Sequence, residues 1–278
     1  MLPLTLAFGS GMAWGTADFL GGVSARRLPL VTVSLVSQAA GLVFVALVVA
    51  FQGGGPAESG AVTFGLAGGF VGALGLSALY RALAIGRMSL VAPTAALSGT
   101  IPVAWGLLRG DRPGPVQLLG VVLAIAGIVL AARTPDHTGS RNTRGLGLAL
   151  VAAVTLGAFV VFLDEAARSD PAWAALMVRT GAITVLGVVA LVTRPSLAVG
   201  PTDATRLISL GVLDNAGNLA FAYAAYAGGM LALTSVLGSL YPVATVLLAR
   251  FVLHERLARL QAVGVAAALA GVALIAAG

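Results

Sequence analysis

The chain alternates between long apolar runs and short polar connections. A run of about 20 apolar residues is long enough to cross the ~30 Å hydrocarbon core of a bilayer as a helix. Such runs cover residues 4–23, 31–51, 62–84, 88–108, 115–132, 145–163, 172–193, 205–226, 230–251 and 260–277. The pattern therefore predicts an all-α integral membrane protein with ten transmembrane helices.

The two halves of this pattern resemble each other in sequence. At an offset of 144, residues 110–130 align with residues 254–274, which superposes Asp111 on Glu255, Arg112 on Arg256, Gln117 on Gln261, Gly120 on Gly264 and Gly127 on Gly271. Because each half holds five spans, an odd number, the second half must be inserted upside down. We therefore expect two inverted five-helix repeats, 1–132 and 145–278, joined by a polar linker at 133–144. This architecture is typical of secondary transporters.

The composition agrees with a membrane protein and excludes several other classes. Of 278 residues, 59% are hydrophobic and only 9% are charged, against roughly a quarter in soluble domains. All 16 cationic residues are arginines dispersed between the apolar runs, whereas nucleic-acid binding requires a clustered basic surface. The absence of cysteine excludes thiol chemistry, and two isolated histidines disfavour a metal site. We expect no cofactor, no metal and no nucleic-acid partner.

The distribution of arginine predicts the orientation in the membrane. Twelve arginines fall in or beside the loops on one side of the predicted bundle, and Arg109, Arg112 and Arg168 fall on the other side. Loops rich in arginine tend to remain in the cytoplasm. We therefore expect a multi-pass protein of the cell membrane with the linker 133–144 in the cytoplasm and both termini outside it.

Several segments resemble a known family. Residues 240–274 are similar to the signature of the EamA family of the drug/metabolite transporter superfamily. In this segment Pro242 precedes Glu255–Arg256 by thirteen residues, a glutamine follows, and a Gly-Val pair lies near the end. The segments WGTADF (14–19) and PAWAALMVR (171–179) also match the family pattern. The resemblance covers nearly the whole chain and implies ten helices in two inverted repeats that export or exchange small metabolites. The first half departs from the pattern at Asp111, where glutamate is usual.

Only three charged residues lie well inside the predicted spans, namely Asp18, Arg179 and Asp214. Placing a charge there costs several kcal/mol, so such a residue is a functional candidate. Asp18 shares a helix face with Trp14, one turn earlier. It is interpreted either as a proton carrier or partner of a cationic substrate, or as a carboxylate that reaches the cytoplasmic water or pairs with Arg26 or Arg27.

The eighth span carries the most polar stretch inside any run. Asp214, Asn215 and Asn218 crowd one side of its helix, where they suit a polar solute or a water-filled path, or join helices as polar glue. Arg179 lies on the adjacent span and is able to reach Asp214. It is interpreted either as a structural counter-ion to Asp214 or as a residue that binds a substrate carboxylate or phosphate through two hydrogen bonds. The predicted substrate-binding set is Trp14, Asp18, Gln38, Arg179, Asp214, Asn215, Asn218, Tyr223 and Tyr241.

The leading functional hypothesis is a secondary transporter, an exporter or exchanger of a small metabolite or drug-like solute that works by alternating access and is not an enzyme. Proton coupling through Asp18 or Asp214 is one hypothesis for its energy source, and facilitated exchange is the other. The alternative is an integral-membrane enzyme acting on lipid, for which the sequence offers only Asp164–Glu165, an acidic pair without an evident partner. The expected partners are a small-molecule substrate and membrane lipids, and the expected assembly is a monomer or a homodimer.

Overall fold

The computed structural model describes residues 1–25, 27–53, 58–85, 94–132, 145–252 and 258–278, and its regular secondary structure over these residues is helical, which confirms the predicted all-α class. A 3-10 turn, Leu97–Gly99, precedes the fourth helix. The α-helices are α1 Leu2–Ala25, α2 Leu30–Gln52, α3 Ser59–Ile85, α4 Thr100–Leu108, α5 Pro115–Ala131, α6 Leu146–Ala167, α7 Pro171–Thr193, α8 Pro201–Tyr226, α9 Leu231–Gly238, α10 Tyr241–Val252 and α11 Arg259–Ala277.

Local signals place many of the helix ends close to the ends of the apolar runs. Helices α5, α7 and α8 begin at a proline, whose missing N–H and restricted φ suit the first helical position. At α7 the side chain of Asp170 also accepts hydrogen bonds from the backbone of Ala172 at 2.9 Å and of Trp173 at 3.0 Å, which caps the helix.

Two predicted spans contain irregular backbone. The predicted run 230–251 is interrupted at Ser239–Leu240, between α9 and α10. Pro242 is the second residue of α10 and has no N–H to continue the hydrogen-bond ladder of α9. In the predicted run 88–108, the described part begins at residue 94 and contains the 3-10 turn. Residues 88–93 and the turn with His254 and Glu255 lie outside the described residues.

Six of the described helical segments are long and apolar enough to cross a membrane, namely α2, residues 59–79 of α3, α6, α7, α9 with α10, and α11. Helices α1 and α8, which carry Asp18 and Asp214, are not among these six. Large apolar side chains cover the outer surface, for example Phe51 at 87% and Leu108 at 83% exposure. Many of the buried positions hold alanine or glycine instead, as expected where membrane helices approach closely.

Glycines also allow a close approach between α5 and α11. A Cβ atom on Gly120 would lie 2.7 Å from the carbonyl oxygen of Gly271, and one on Gly127 would lie 2.7 Å from that of Gly264. Real Cβ atoms do not approach a backbone oxygen so closely, so glycine is required at this crossing. The sequence left open whether these small residues form a dimer face or internal packing, and the structure uses them for internal packing.

Candidate functional site

The polar residues of α1 and α8 meet inside the bundle. The indole Nε1 of Trp14 donates a hydrogen bond to Oδ1 of Asn218 at 2.9 Å, and Gly21 of α1 packs beside Leu210 of α8, so the two helices run antiparallel. One turn further along each helix this register brings Asp18 level with Asp214. Their carboxyl groups interact electrostatically. The structure thus joins these four residues, from distant parts of the sequence, into an interior cluster.

Arg179 enters this interior cluster from α7. Its Nη2 donates to Oδ2 of Asp214 at 2.7 Å, and its Nε donates to Oδ1 of Asn215 at 3.0 Å. The amide of Asn215 in turn donates to the backbone oxygen of Gly211 at 2.8 Å. The side chain of Arg179 is only 4% exposed, against 32% for Asp214. The predicted contact between Arg179 and Asp214 is confirmed, and its geometry matches that of a buried counter-ion.

Trp14 is held rigidly between two glycines. A Cβ atom on Gly217 would lie 2.6 Å from Cδ1 of the indole, and one on Gly238 would lie 3.2 Å from its Cζ3. The indole also stacks on Phe221, with ring centroids 5.7 Å apart. Because Trp14 remains partly exposed, it presents a fixed aromatic wall one helical turn from Asp18.

The two stretches of irregular backbone meet beside this wall. A Cβ atom on Gly99 would lie 2.7 Å from Oγ of Ser239, so the 3-10 turn contacts the break between α9 and α10. The hydroxyl of Tyr241 lies close to the side chains of Ser98 and Asp18. Tyr241 and Ser98 therefore belong to the interior cluster, and irregular backbone at such a place is typical of transporter binding sites.

The residues of the interior cluster differ sharply in accessibility. Asn215 and Asn218 are buried and hydrogen-bonded to protein groups, so they hold the helices together. Asp18 is exposed and forms no hydrogen bond or ion pair with any residue that the structure describes. Arg26, one of its two predicted partners, lies outside the described residues. The exposed carboxyl of Asp18 and the partly exposed one of Asp214 are therefore the accessible charged groups of the interior cluster.

Two predicted site residues are not brought into the interior cluster. Tyr223 accepts a hydrogen bond from the side-chain amide of Gln52, close to the ends of α2 and α8. Gln38 lies on α2 with its Oε1 buried and without a hydrogen-bond partner among the described residues, and no described contact links it to the cluster. The sequence grouped these residues by residue type and span, which do not specify the helix face.

The acidic pair of α6 has partners that the sequence did not reveal. Glu165 accepts hydrogen bonds from the guanidinium of Arg109 and from Nε1 of Trp105, the latter at 3.3 Å. Asp164 forms an ion pair with Arg168 at 3.0 Å. The expectation that this pair lacks partners is wrong, because the end of α4 packs beside the end of α6. These pairings also explain why α6 continues past the predicted apolar run 145–163.

Two further features lie at the ends of the bundle. The carboxylate of Asp111, in the turn between α4 and α5, accepts a hydrogen bond from the backbone N–H of Ala232 at 2.8 Å, which caps α9. At the opposite end of the bundle, α1 and α8 border a groove of about 540 Å³. It is lined by Leu20, Pro201, Thr202, Thr205, Arg206 and Ser209. The lining shares no residue with the interior cluster.

Comparison with known proteins assigns the chain to a family. The model of the EamA-like transporter family matches residues 1–133 and again residues 143–277. No curated protein matches the sequence. A crystal structure of a protein with 17% sequence identity superposes with a TM-score of 0.80, over 98% of this chain and 95% of the other, which shows the same fold. With the apolar helices described above, the family matches across both halves show that this multi-pass membrane protein belongs to the EamA-like transporter family.

Proposed function

We propose that the protein is a secondary transporter that moves a small metabolite or drug-like solute across the cytoplasmic membrane by alternating access. The observation that carries this proposal is the interior cluster, which places the exposed carboxyl of Asp18 and the partly exposed carboxyl of Asp214 inside the helical bundle. The cluster combines α1, from the first family match, with α7, α8 and α10, from the second. A binding site between two repeats near the middle of the membrane is what alternating access requires.

Reciprocal contacts support two inverted repeats, residues 1–132 and 145–278. Gly120 and Gly264 are equivalent in the sequence alignment, as are Gly127 and Gly271. In the structure Gly120 lies against Gly271, and Gly127 lies against Gly264. Exchanging the two repeats therefore turns the contact of Gly120 with Gly271 into the contact of Gly264 with Gly127. A two-fold axis in the membrane plane produces this pattern.

Helix packing and capping repeat in the same way. Gly15 of α1 packs against the backbone oxygen of Tyr241, and Gly157 of α6 packs against that of Ser98. The side chains of Gln117 and Gln261 each accept a hydrogen bond from a backbone N–H three residues earlier, at 2.9 and 3.0 Å. Both similarities favour counting α9 and α10 together as one broken span, so that the eleven described helices form ten spans, five in each repeat.

The proposed orientation places the end of the bundle that carries Asp111, Asp164 and Glu165 outside the cell. Pro3 lies near Gly229, and Gly278 lies near Gln117, so both described termini are at this end. The opposite end carries Arg27, Arg81, Arg194, Arg206, Arg250 and Arg259, which the positive-inside rule assigns to the cytoplasm.

The proposed mechanism uses the two irregular segments as flexing points. Rocking of one repeat against the other at the contact of Gly99 with Ser239 exposes the interior cluster to each side in turn. The sequence contains no lysine, so it cannot form a nucleotide-binding P-loop of the Walker type. We therefore propose that a solute gradient, or proton exchange at Asp18 or Asp214, drives the cycle.

The test is solute flux in proteoliposomes reconstituted with the purified protein. Amino acids, sugars, nucleotides and organic cations are offered with and without a pH gradient, and Asp18→Asn is compared with Asp203→Asn. Asp203 is a matched control because it pairs with Arg206 at the end of α8, outside the interior cluster. Flux that requires Asp18 but not Asp203 supports the proposal, whereas folded protein that moves none of these classes contradicts it.

Orientation has an independent test because the chain lacks cysteine. Single cysteines at two exposed turn positions, Ala227→Cys and Ser196→Cys, are treated with a membrane-impermeant maleimide on intact cells. The proposed topology predicts labelling at position 227 only, and labelling at position 196 only would reverse it.

A further inference from the structure

The interior cluster is electrostatically asymmetric. Its described charged groups are two carboxylates, Asp18 and Asp214, and one guanidinium, Arg179. The guanidinium is almost fully buried, and its Nε and Nη2 already donate to Asn215 and Asp214. Arg179 therefore neutralises the charge of Asp214 from the buried side of the cluster. It has little exposed surface with which to bind a solute. A solute that reaches the cluster meets net negative charge.

Asp18 is the carboxylate of the cluster that forms no hydrogen bond or ion pair with the residues that the structure describes. The indole N–H of Trp14, one turn away, is engaged with Asn218, and the hydroxyl of Tyr241 lies close to Ser98. Across the helix interface the antiparallel register of α1 and α8 brings Asp18 level with Asp214, a group of the same charge. Within a membrane-spanning bundle an uncompensated carboxylate is costly, so a cation that takes the place of its water is bound favourably.

The residues around Asp18 determine which kind of cation fits beside it. Trp14 is fixed by Gly217, Gly238 and Phe221 one turn away, so its ring needs no reordering when a solute binds. Aromatic rings attract organic cations through the negative charge of their faces. A rigid aromatic wall beside a carboxylate that pairs with none of the described residues suits a molecule that carries a flat apolar body next to a positive charge.

We propose that the transported solute is an amphipathic monocation, an organic ammonium whose charge pairs with Asp18 and whose apolar body packs on Trp14. This substrate class rests on the proposed transport function. The same site disfavours anions, because the buried Arg179 has no free face toward the solute.

Equilibrium binding to the purified protein in detergent tests the charge preference. The probes are 2-phenylethylammonium and benzyltriethylammonium as cations, 2-phenylethanol as the neutral analogue and phenylacetate as the anion. We expect the cations to bind, the other two probes to bind at least about tenfold more weakly, and Asp18→Asn to remove the difference. Asp203→Asn is expected to bind the cations as the wild type does.

A second variant keeps the proposal testable if Asp18→Asn does not fold. Asp18→Cys introduces the only thiol of the chain, at an exposed position. Modification with a sulfonatoethyl methanethiosulfonate restores a negative charge there, and the trimethylammonioethyl reagent places a positive one. Cation binding should return with the first reagent and remain absent with the second. A thiol at position 18 that reacts with neither reagent contradicts the exposed carboxylate on which the proposal rests.

The substrate class and the transport function fail in different ways. Cation binding without flux of any solute would refute the proposed transport function and would still support the proposed ligand class. The ligand class would be overturned if flux were confined to neutral or anionic solutes, or if phenylacetate bound as tightly as the cations. The proposed transport function would stand in both cases. Failure of both cations to bind folded wild-type protein would also overturn it.

Discussion

Gly15→Ala is the most direct test of how α1 packs against the broken helix. An added methyl group would lie 2.5 Å from the backbone oxygen of Tyr241 and 2.5 Å from Cβ of Ala244. Favourable contacts between heavy atoms are about 3.5–4.0 Å long, so the helices must separate by roughly 1 Å. That separation also strains the hydrogen bond of 3.0 Å from Thr245 Oγ1 to the backbone oxygen of Gly15.

The expected magnitude follows from two opposing contributions. Overpacking of a closely fitted contact costs about 1–3 kcal/mol, and replacing glycine by alanine within a helix returns at most about 1 kcal/mol. Gly9→Ala is the matched control, because Gly9 lies on the same helix and an added Cβ there meets nothing within 4 Å. The propensity gain cancels between the two variants, so Gly15→Ala should be less stable than Gly9→Ala by about 1–3 kcal/mol.

The assay is a detergent-titrated unfolding transition of the purified variants, followed by circular dichroism. The proposed two-fold relation adds a further expectation, because an added Cβ on Gly157 would lie 2.6 Å from the backbone oxygen of Ser98 and 2.7 Å from Cβ of Ile101. Gly157→Ala should therefore be destabilised to a similar degree. Equal stability of Gly15→Ala and Gly9→Ala would refute the close contact between α1 and α10.

Three other substitutions probe the polar contacts by the same unfolding assay. Asp111→Ala removes the cap on Ala232 and should cost about 1 kcal/mol; no loss would mean that water replaces the carboxylate. Arg179→Met removes the ion-pair partner of Asp214 and should lower the free energy of unfolding by about 1–3 kcal/mol. Adding Asp214→Asn should recover part of that loss. If the effects of the two substitutions simply add, the result argues against the pair. Gln261→Ala removes the hydrogen bond that begins α11 and should cost about 0.5–1.5 kcal/mol, a result that an unchanged midpoint would contradict.

The sequence by itself determined the class of protein and the approximate position of its helices. Crossing a bilayer requires a long apolar run, and prolines such as Pro115, Pro171 and Pro201 mark helix starts through their own backbone geometry. Both signals are local. The three interior charges were recognisable for the same reason, since a charge within an apolar run is conspicuous without knowledge of its neighbours.

The tertiary structure decided which of these residues meet. Adjacent spans made the contact of Arg179 with Asp214 predictable, but the contact of Trp14 with Asn218 depends on how α1 and α8 are aligned. The same applies to Glu165, whose partner Arg109 directly follows α4 in the other half of the chain.

Accessibility was likewise decided only in three dimensions. Asp18, Asn215 and Tyr223 were equivalent candidates in the sequence, because hydropathy identifies polar residues and not the direction in which they point. The structure exposes Asp18, buries Asn215 behind Arg179 and places Tyr223 beside Gln52. The physical reason is that burial and pairing depend on the rotation of each helix about its axis, which close contacts between distant residues determine.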